Sequence, residues 1–169
     1  MLDQKATYKS LDRFRKQVVK ESRKNAKKFS ASGELARSLT SKLNVSKNSF
    51  SLEFLMNEYG NYQDKGVSGT KKKYNTPYKY TTKMPNPKVF DKWVIRKGIA
   101  PRTKEGKFMS RKSLTFLIAR SVFRNGIKPT LFFTKPFEKQ FKKLPDTLIE
   151  SFALDVEDFA EFTLKNTFE

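Results

Sequence analysis

An α+β fold is predicted for this 169-residue chain: a small antiparallel sheet flanked by several helices, with a long C-terminal helix. Three observations predict it. Apolar residues recur at three- and four-residue steps near both ends of the chain. Between them lies a stretch in which apolar and polar residues alternate, the period of a half-buried strand. And 169 residues suit a single core, with room for an appended helix.

The elements follow in order. Residues 4–28 carry Tyr8, Leu11, Phe14, Val18 and Val19 at helical spacing. Lys9, Arg13, Lys16, Lys20, Arg23, Lys24, Lys27 and Lys28 fill the other faces. This is either a core-packing helix with a solvated basic back, or a helix whose basic face touches nucleic acid or an acidic partner. Ser30 to Gly33 break the pattern. A short helical phrase follows, with Leu35, Leu39 and Leu43 on one side. Phe50, Leu52, Phe54 and Met56 then alternate with Ser51 and Glu53, and Lys47-Asn48 supplies a turn. Residues 38–46 and 49–56 therefore make an antiparallel hairpin. A short helix or turn covers Asn57 to Asp64.

Residues 65–86 hold six lysines, two glycines and two prolines, with Tyr74, Tyr78 and Tyr80 between the charges. So polar a stretch has too little apolar surface to order itself, and it is expected to be a flexible basic loop that orders on a partner. Pro87 opens a helix with Val89, Trp93 and Val94 on one face and Gly98 as its stop. A second basic turn carries Arg102, Lys104 and Lys107. Ser110 caps a helix over 111–125 whose buried stripe is Leu114, Leu117, Ile118, Ser121 and Val122; Gly126 closes it. Leu131-Phe132-Phe133 is a strand or a docked segment. Pro136 starts the last helix, which runs to about 164 with an interruption near Pro145. Its apolar side is Phe137, Phe141, Leu144, Leu148, Phe152, Val156, Phe159 and Leu164.

Charge divides the chain into two parts. Lys and Arg number 36 against 17 acids, a net +19, with a pI near 10.1. Residues 144–169 hold seven acids and one base, net −6; the remaining 1–143 form a body of net +25. The acidic helix either folds back on its own basic body or meets the basic surface of a neighbouring copy. Strong positive charge favours polyanions and solubility and says nothing of fold.

Several chemistries are excluded by composition. With no Cys and no His, thiol and histidine catalysis, Cys-ligated metal and disulfides are all impossible. No apolar run approaches the length of a membrane span, and the polar start lacks a signal-peptide core. Phosphate-binding glycine motifs are missing. A carboxylate nuclease would need converging acids, for which Asp155 and Asp158, three apart on one helix, are the nearest approach. No enzyme and no cofactor are expected.

Three phrases stand in a telling order: Gly33-Glu34-Leu35-Ala36-Arg37-Ser38 before the hairpin; Tyr59-Gly60-Asn61-Tyr62-Gln63-Asp64-Lys65-Gly66 after it; then Ala119-Arg120-Ser121 with Gly126-Ile127-Lys128-Pro129-Thr130-Leu131-Phe132-Phe133. Over roughly residues 30–135 this order resembles the tail-completion or head–tail joining proteins of tailed bacteriophages. The resemblance implies a ring-forming structural protein of the virion neck or tail, assembled in the host cytoplasm, with packaged double-stranded DNA passing through non-specifically. Its partners would be further copies of itself and other neck, portal-adaptor or tail proteins, with no membrane involved. The basic 65–86 stretch and the acidic terminal helix depart from the family's pattern. On this reading Lys71, Lys72, Lys73, Lys79, Lys83, Arg102, Lys104 and Lys107 contact DNA or a partner. Asp155, Glu157, Asp158 and Glu161 make the subunit contact. Gly126 and Pro129 shape the link between helices, and Phe132 and Phe133 anchor it. The alternative is a free, sequence-nonspecific nucleic-acid-binding protein.

Overall fold

The computed structural model describes residues 4–29, 32–46, 49–103 and 105–167. The expected turn at Lys47-Asn48, residues Ser30 and Lys104, and the side chain of Leu164 lie outside the described set. The order is α1 (Lys5–Lys27), α2 (Glu34–Ser38), β1 (Thr40–Ser46), β2 (Ser49–Leu55), α3 (Tyr59–Lys65), a 3-10 turn (Pro87–Phe90), α4 (Asp91–Arg96), α5 (Arg111–Asn125), α6 (Thr134–Phe141) and α7 (Leu144–Thr167). The fold is α+β, with one two-stranded antiparallel sheet and a long C-terminal helix.

The hairpin pairs Thr40 with Leu55 and Ser46 with Ser49. Alternation places Phe50, Leu52 and Phe54 on the half-buried side. The helical phrase before it is shorter than its leucine spacing predicts. Helix α2 stops at Ser38 and Leu39 is already extended, because Leu43 is taken up by the strand.

The core forms where α1, α2 and the 130s segment meet. Val19, Ala26, Leu35, Ala36, Leu39 and Phe132 are buried together, flanked by Phe29, Phe54, Met56 and Phe133. Leu131-Phe132-Phe133 is thus a docked segment, and Phe132 is its anchor. Phe14, Phe54 and Phe137 meet edge-to-face at 5.8–6.3 Å between centroids, a favoured geometry for aromatic pairs. They tie α1, β2 and α6 together.

Two helices borrow their N-terminal caps from distant aspartates. Gln4 makes no side-chain cap on α1; instead Asp155 of α7 accepts from the backbone N–H groups of Ala6 and Thr7 at 2.8 and 2.9 Å, and from the Thr7 hydroxyl at 2.7 Å. Those N–H groups have no partner within the helix, and the carboxylate sits at the positive end of its dipole. Likewise Asp64, buried on α3, accepts from Phe133 N at 2.8 Å, from Thr134 N at 3.2 Å and from the Thr134 hydroxyl at the start of α6.

Three expected faces differ. On α5 the buried residues are Thr115 and Ala119, while Leu117 and Ser121 are exposed. On α4 only Val94 is buried; Val89 and Trp93 face outward. On α6 and α7, Phe141, Phe152, Val156 and Phe159 are exposed, because α7 sets another face, that of Ser151 and Asp155, against α1.

The 65–86 stretch is not the structureless loop its composition predicts. Val67 and Ile127 exchange backbone hydrogen bonds of 2.9 and 2.8 Å, and Ser68 does the same with Tyr78 and Tyr80, both at 2.8 Å. Thr70, Lys71 and Lys72 donate to the Phe123 and Arg124 carbonyls that end α5, at 2.9–3.1 Å. The segment is ordered chiefly by backbone hydrogen bonding to the end of a helix, with Val67 its one buried hydrophobic side chain among the described residues.

Candidate functional site

The predicted cations fall into two groups. Lys71, Lys72, Lys73, Lys79 and Lys83 are all exposed on the stretch that wraps the end of α5. Two of them are partly engaged within the chain: Lys73 donates to the Gly69 carbonyl at 3.1 Å, and the Lys72 ammonium lies 5.7 Å from the Tyr74 ring centroid. Beside them Tyr62 and Tyr78 meet edge-to-face at 4.6 Å, and a groove of about 590 Å³ runs past Tyr78, Lys79 and Tyr80. Burial raises the Tyr80 hydroxyl above its ordinary pKa of 10.0, so the phenol stays neutral beside the lysines.

Arg102 and Lys107 form the second group. Their turn is closed by the Thr103 N–H donating to Lys107 O at 2.7 Å and by Arg102 Nη1 donating to Gly106 O at 3.1 Å. The Arg102 guanidinium lies 4.2 Å from the Phe108 ring centroid, a cation–π contact. Lys104 is outside the described residues. Among those residues, no hydrogen bond, ion pair or ring contact joins the two groups.

A further positive surface lies elsewhere, on α1. Arg15, Lys16, Lys20, Arg23, Lys24 and Lys27 of α1 face Thr40 and Ser41 of β1 across a cleft of about 570 Å³. The arginines hold its walls together: Arg15 Nη1 donates to Ser41 O and Oγ, both at 3.3 Å, and Arg23 Nε to Leu39 O at 3.0 Å. Asp12 is the local counter-charge. The hydrogen bond from Lys16 is the main reason its carboxyl falls below the ordinary 3.8; burial opposes that effect, and Arg15 adds to it. Lys20, Lys24 and Lys27 have no ion-pair partner among the described residues. The signal was present in the sequence as cations repeating at three- and four-residue steps. A helix face alone did not reveal that the hairpin closes it into a cleft.

The acidic set divides. Asp155 is 1% exposed and is spent on the α1 cap, which corrects its assignment as a subunit contact: its oxygens are occupied within its own chain. The same hydrogen bonds act on its titration. Burial is the largest single influence and raises the carboxyl, but the Thr7 hydroxyl and the Thr7 and Ala6 N–H groups together outweigh it and hold the group below 3.8. Glu157, Asp158 and Glu161 are exposed. Asp155 and Asp158, sharing a helix, do not converge on one point. Among the described residues no cluster of acids could hold a metal ion, and no helix is long and apolar enough to cross a membrane.

What this surface can do chemically is bind polyanions. It presents cations in a cleft and on loops, aromatic faces beside some of them, and an acidic helix at the other end of the charge range. No protein-family model, curated protein or solved structure matches the chain.

Proposed function

We propose that this chain is a structural subunit of a phage neck or tail, a tail-completion or head–tail joining protein that closes into a ring around passing DNA. The observation that carries the reading is the outer surface of α7. It is acidic, unlike the rest of the chain, and bears an exposed apolar row while its other face is already packed on α1. A helix so built has two complementary partners in another copy of the same chain: cations for its acids and an apolar surface for its row. Contacts between two different surfaces repeat head to tail, and they close into a ring where the rotation from copy to copy allows it. Lysines on loops and in the α1 cleft then face the phosphate backbone, which carries no base sequence and lets DNA slide. The test is electron imaging and light scattering of the purified chain, with peptide mass fingerprinting of purified virions. Uniform rings and presence in particles are expected; a monomer absent from particles would end the proposal.

The α1–β1 cleft favours a second reading, a free nucleic-acid-binding protein without sequence preference. Here the affinity for a random-sequence duplex should fall steeply with salt, with a slope near −0.9 for each phosphate neutralised. Changing Lys20, Lys24 and Lys27 together to Ala is expected to reduce that slope by about 2–3, at about 0.9 per cation removed, as measured by fluorescence anisotropy across a salt series. An unchanged slope would show that DNA lies elsewhere, and the five lysines of 71–83 would be the next set to remove.

A further inference from the structure

We infer that α7 of one copy docks in the groove between α3 and α4 of the next, an inference that rests on the ring reading and names its contact. The docking row is Ile149, Phe152, Val156 and Phe159, exposed by 70, 50, 43 and 40%. Their steps of three, four and three place them in one seam, about 15 Å long at 1.5 Å per residue. The seam is distinct from the face of Ser151 and Asp155 that meets α1. Around the helix from the seam come Ala153 and Ala160, and then the acids Asp146, Glu150, Glu157 and Glu161. A helix with an apolar seam and one acidic edge is suited to a groove with an apolar bed and a basic rim.

The chain holds such a groove, of about 580 Å³. Ile118 and Val122 of α5 line it, with the exposed side chains Tyr59, Val89 and Trp93. Lys92 and Arg96 are its cations and Glu34 its single acid. Charge selects the occupant. Two α7 helices laid seam to seam would bring together two helices of the same negative sign. The groove instead offers cations to the acidic edge, and complementary charge of this kind fixes partner and register. The groove and the seam are different surfaces, so the contact repeats from copy to copy.

The absence of native cysteine makes the test direct. Phe152→Cys and Trp93→Cys are made separately, both at exposed positions; Ile149→Cys and Val89→Cys form a second pair should either of the first fail to fold by circular dichroism. Each variant is oxidised alone and in an equimolar mixture, and the double variant is oxidised by itself. The expected result is a cross-linked dimer in the mixture only, and a ladder of oligomers from the double variant. Self-cross-linking of Phe152→Cys alone would show α7 paired with α7 and overturn the inference. Rings seen by electron microscopy without any mixed cross-link would also overturn it while leaving the ring reading standing. Mixed cross-links in an assembly that never closes would uphold the contact and remove the ring.

Discussion

Gly126→Ala is expected to cost about 3 kcal/mol or more of folding stability. Gly126 has φ +72° and ψ −165°, a backbone conformation that is essentially restricted to glycine. A Cβ there would also stand 2.0 Å from the Val67 carbonyl oxygen and 2.6 Å from the Gly69 nitrogen. Both are backbone atoms and neither can turn aside. The neighbouring chain is equally committed, since a Cβ on Gly69 would meet Arg124 O at 2.2 Å. Making room means parting the 66–69 segment from the end of α5, with loss of the Val67–Ile127 pair and of the bonds that hold Thr70 to Lys72. Gly98→Ala is the control. Its φ is +61° but nothing lies within 4 Å of a new Cβ, so it should lose only the left-handed strain, about 1–2 kcal/mol. Urea unfolding of the two variants decides the matter: equal losses would mean that the crossing yields and that the segment is held only loosely.

The fold at that crossing is also the part least legible in the sequence. The hairpin was legible because Phe50, Leu52 and Phe54 alternate against polar neighbours, and α5 because Ser110 and Gly126 bracket it; Ser110 Oγ does accept from Ser113 N, at 3.2 Å. The fate of residues 65–86 was not legible. Composition reports how much apolar surface a segment can bury, and this one can bury little. It says nothing of backbone donors meeting the free carbonyls at a helix end. Gly66, Gly69 and Gly126 were the visible hint, but a glycine in isolation does not name the strand it approaches. The buried side of α5 was legible only in part: Leu114, Ile118 and Val122 are half-buried, while Leu117 and Ser121 are exposed. Apolar residues occur around much of that helix, so periodicity leaves its inner face ambiguous; the fully buried pair is Thr115 and Ala119, four apart on one face, while Phe116 and Leu117 are exposed. On α7 the apolar row is visible in the sequence, but a row names no partner, and α1 takes the adjacent face. The cleft on α1 needed the hairpin's position as well as the lysine spacing. Lys71, Lys72, Lys73, Lys79, Lys83, Arg102 and Lys107 are exposed, as expected of contact cations; of the acids, Asp155 could not be told from Asp158 without knowing what lay opposite.

Asp155→Ala should therefore behave quite unlike Asp158→Ala. The first removes a carboxylate that three donors share: Ala6 N, Thr7 N and Thr7 Oγ1. Thr7 is buried, so its donors cannot turn to water in exchange. Losing the cap and leaving these groups unpaired is expected to cost about 2–4 kcal/mol, or about 5–15 °C in Tm for a chain of this length. Asp158 is exposed, and its loss should stay within about 0.5 kcal/mol. The pH profile separates a cap from mere packing. Asp155 is held below its ordinary 3.8 in the folded state, so its contribution is complete above that value and disappears as pH falls through the folded pKa. The gap between the wild type and Asp155→Asn, which keeps the shape but not the charge, should be constant from neutrality down to about pH 5 and close below pH 4. Because the cap joins α1 to α7, its loss would also weaken the hold of the acidic helix on the body, leaving the Ser10–Ser151 hydrogen bond and the packing around it. A thermal scan of all three variants across that range tests the point, and an Asp155→Ala protein as stable as the wild type at neutral pH would show that α7 is held to α1 by its other contacts alone.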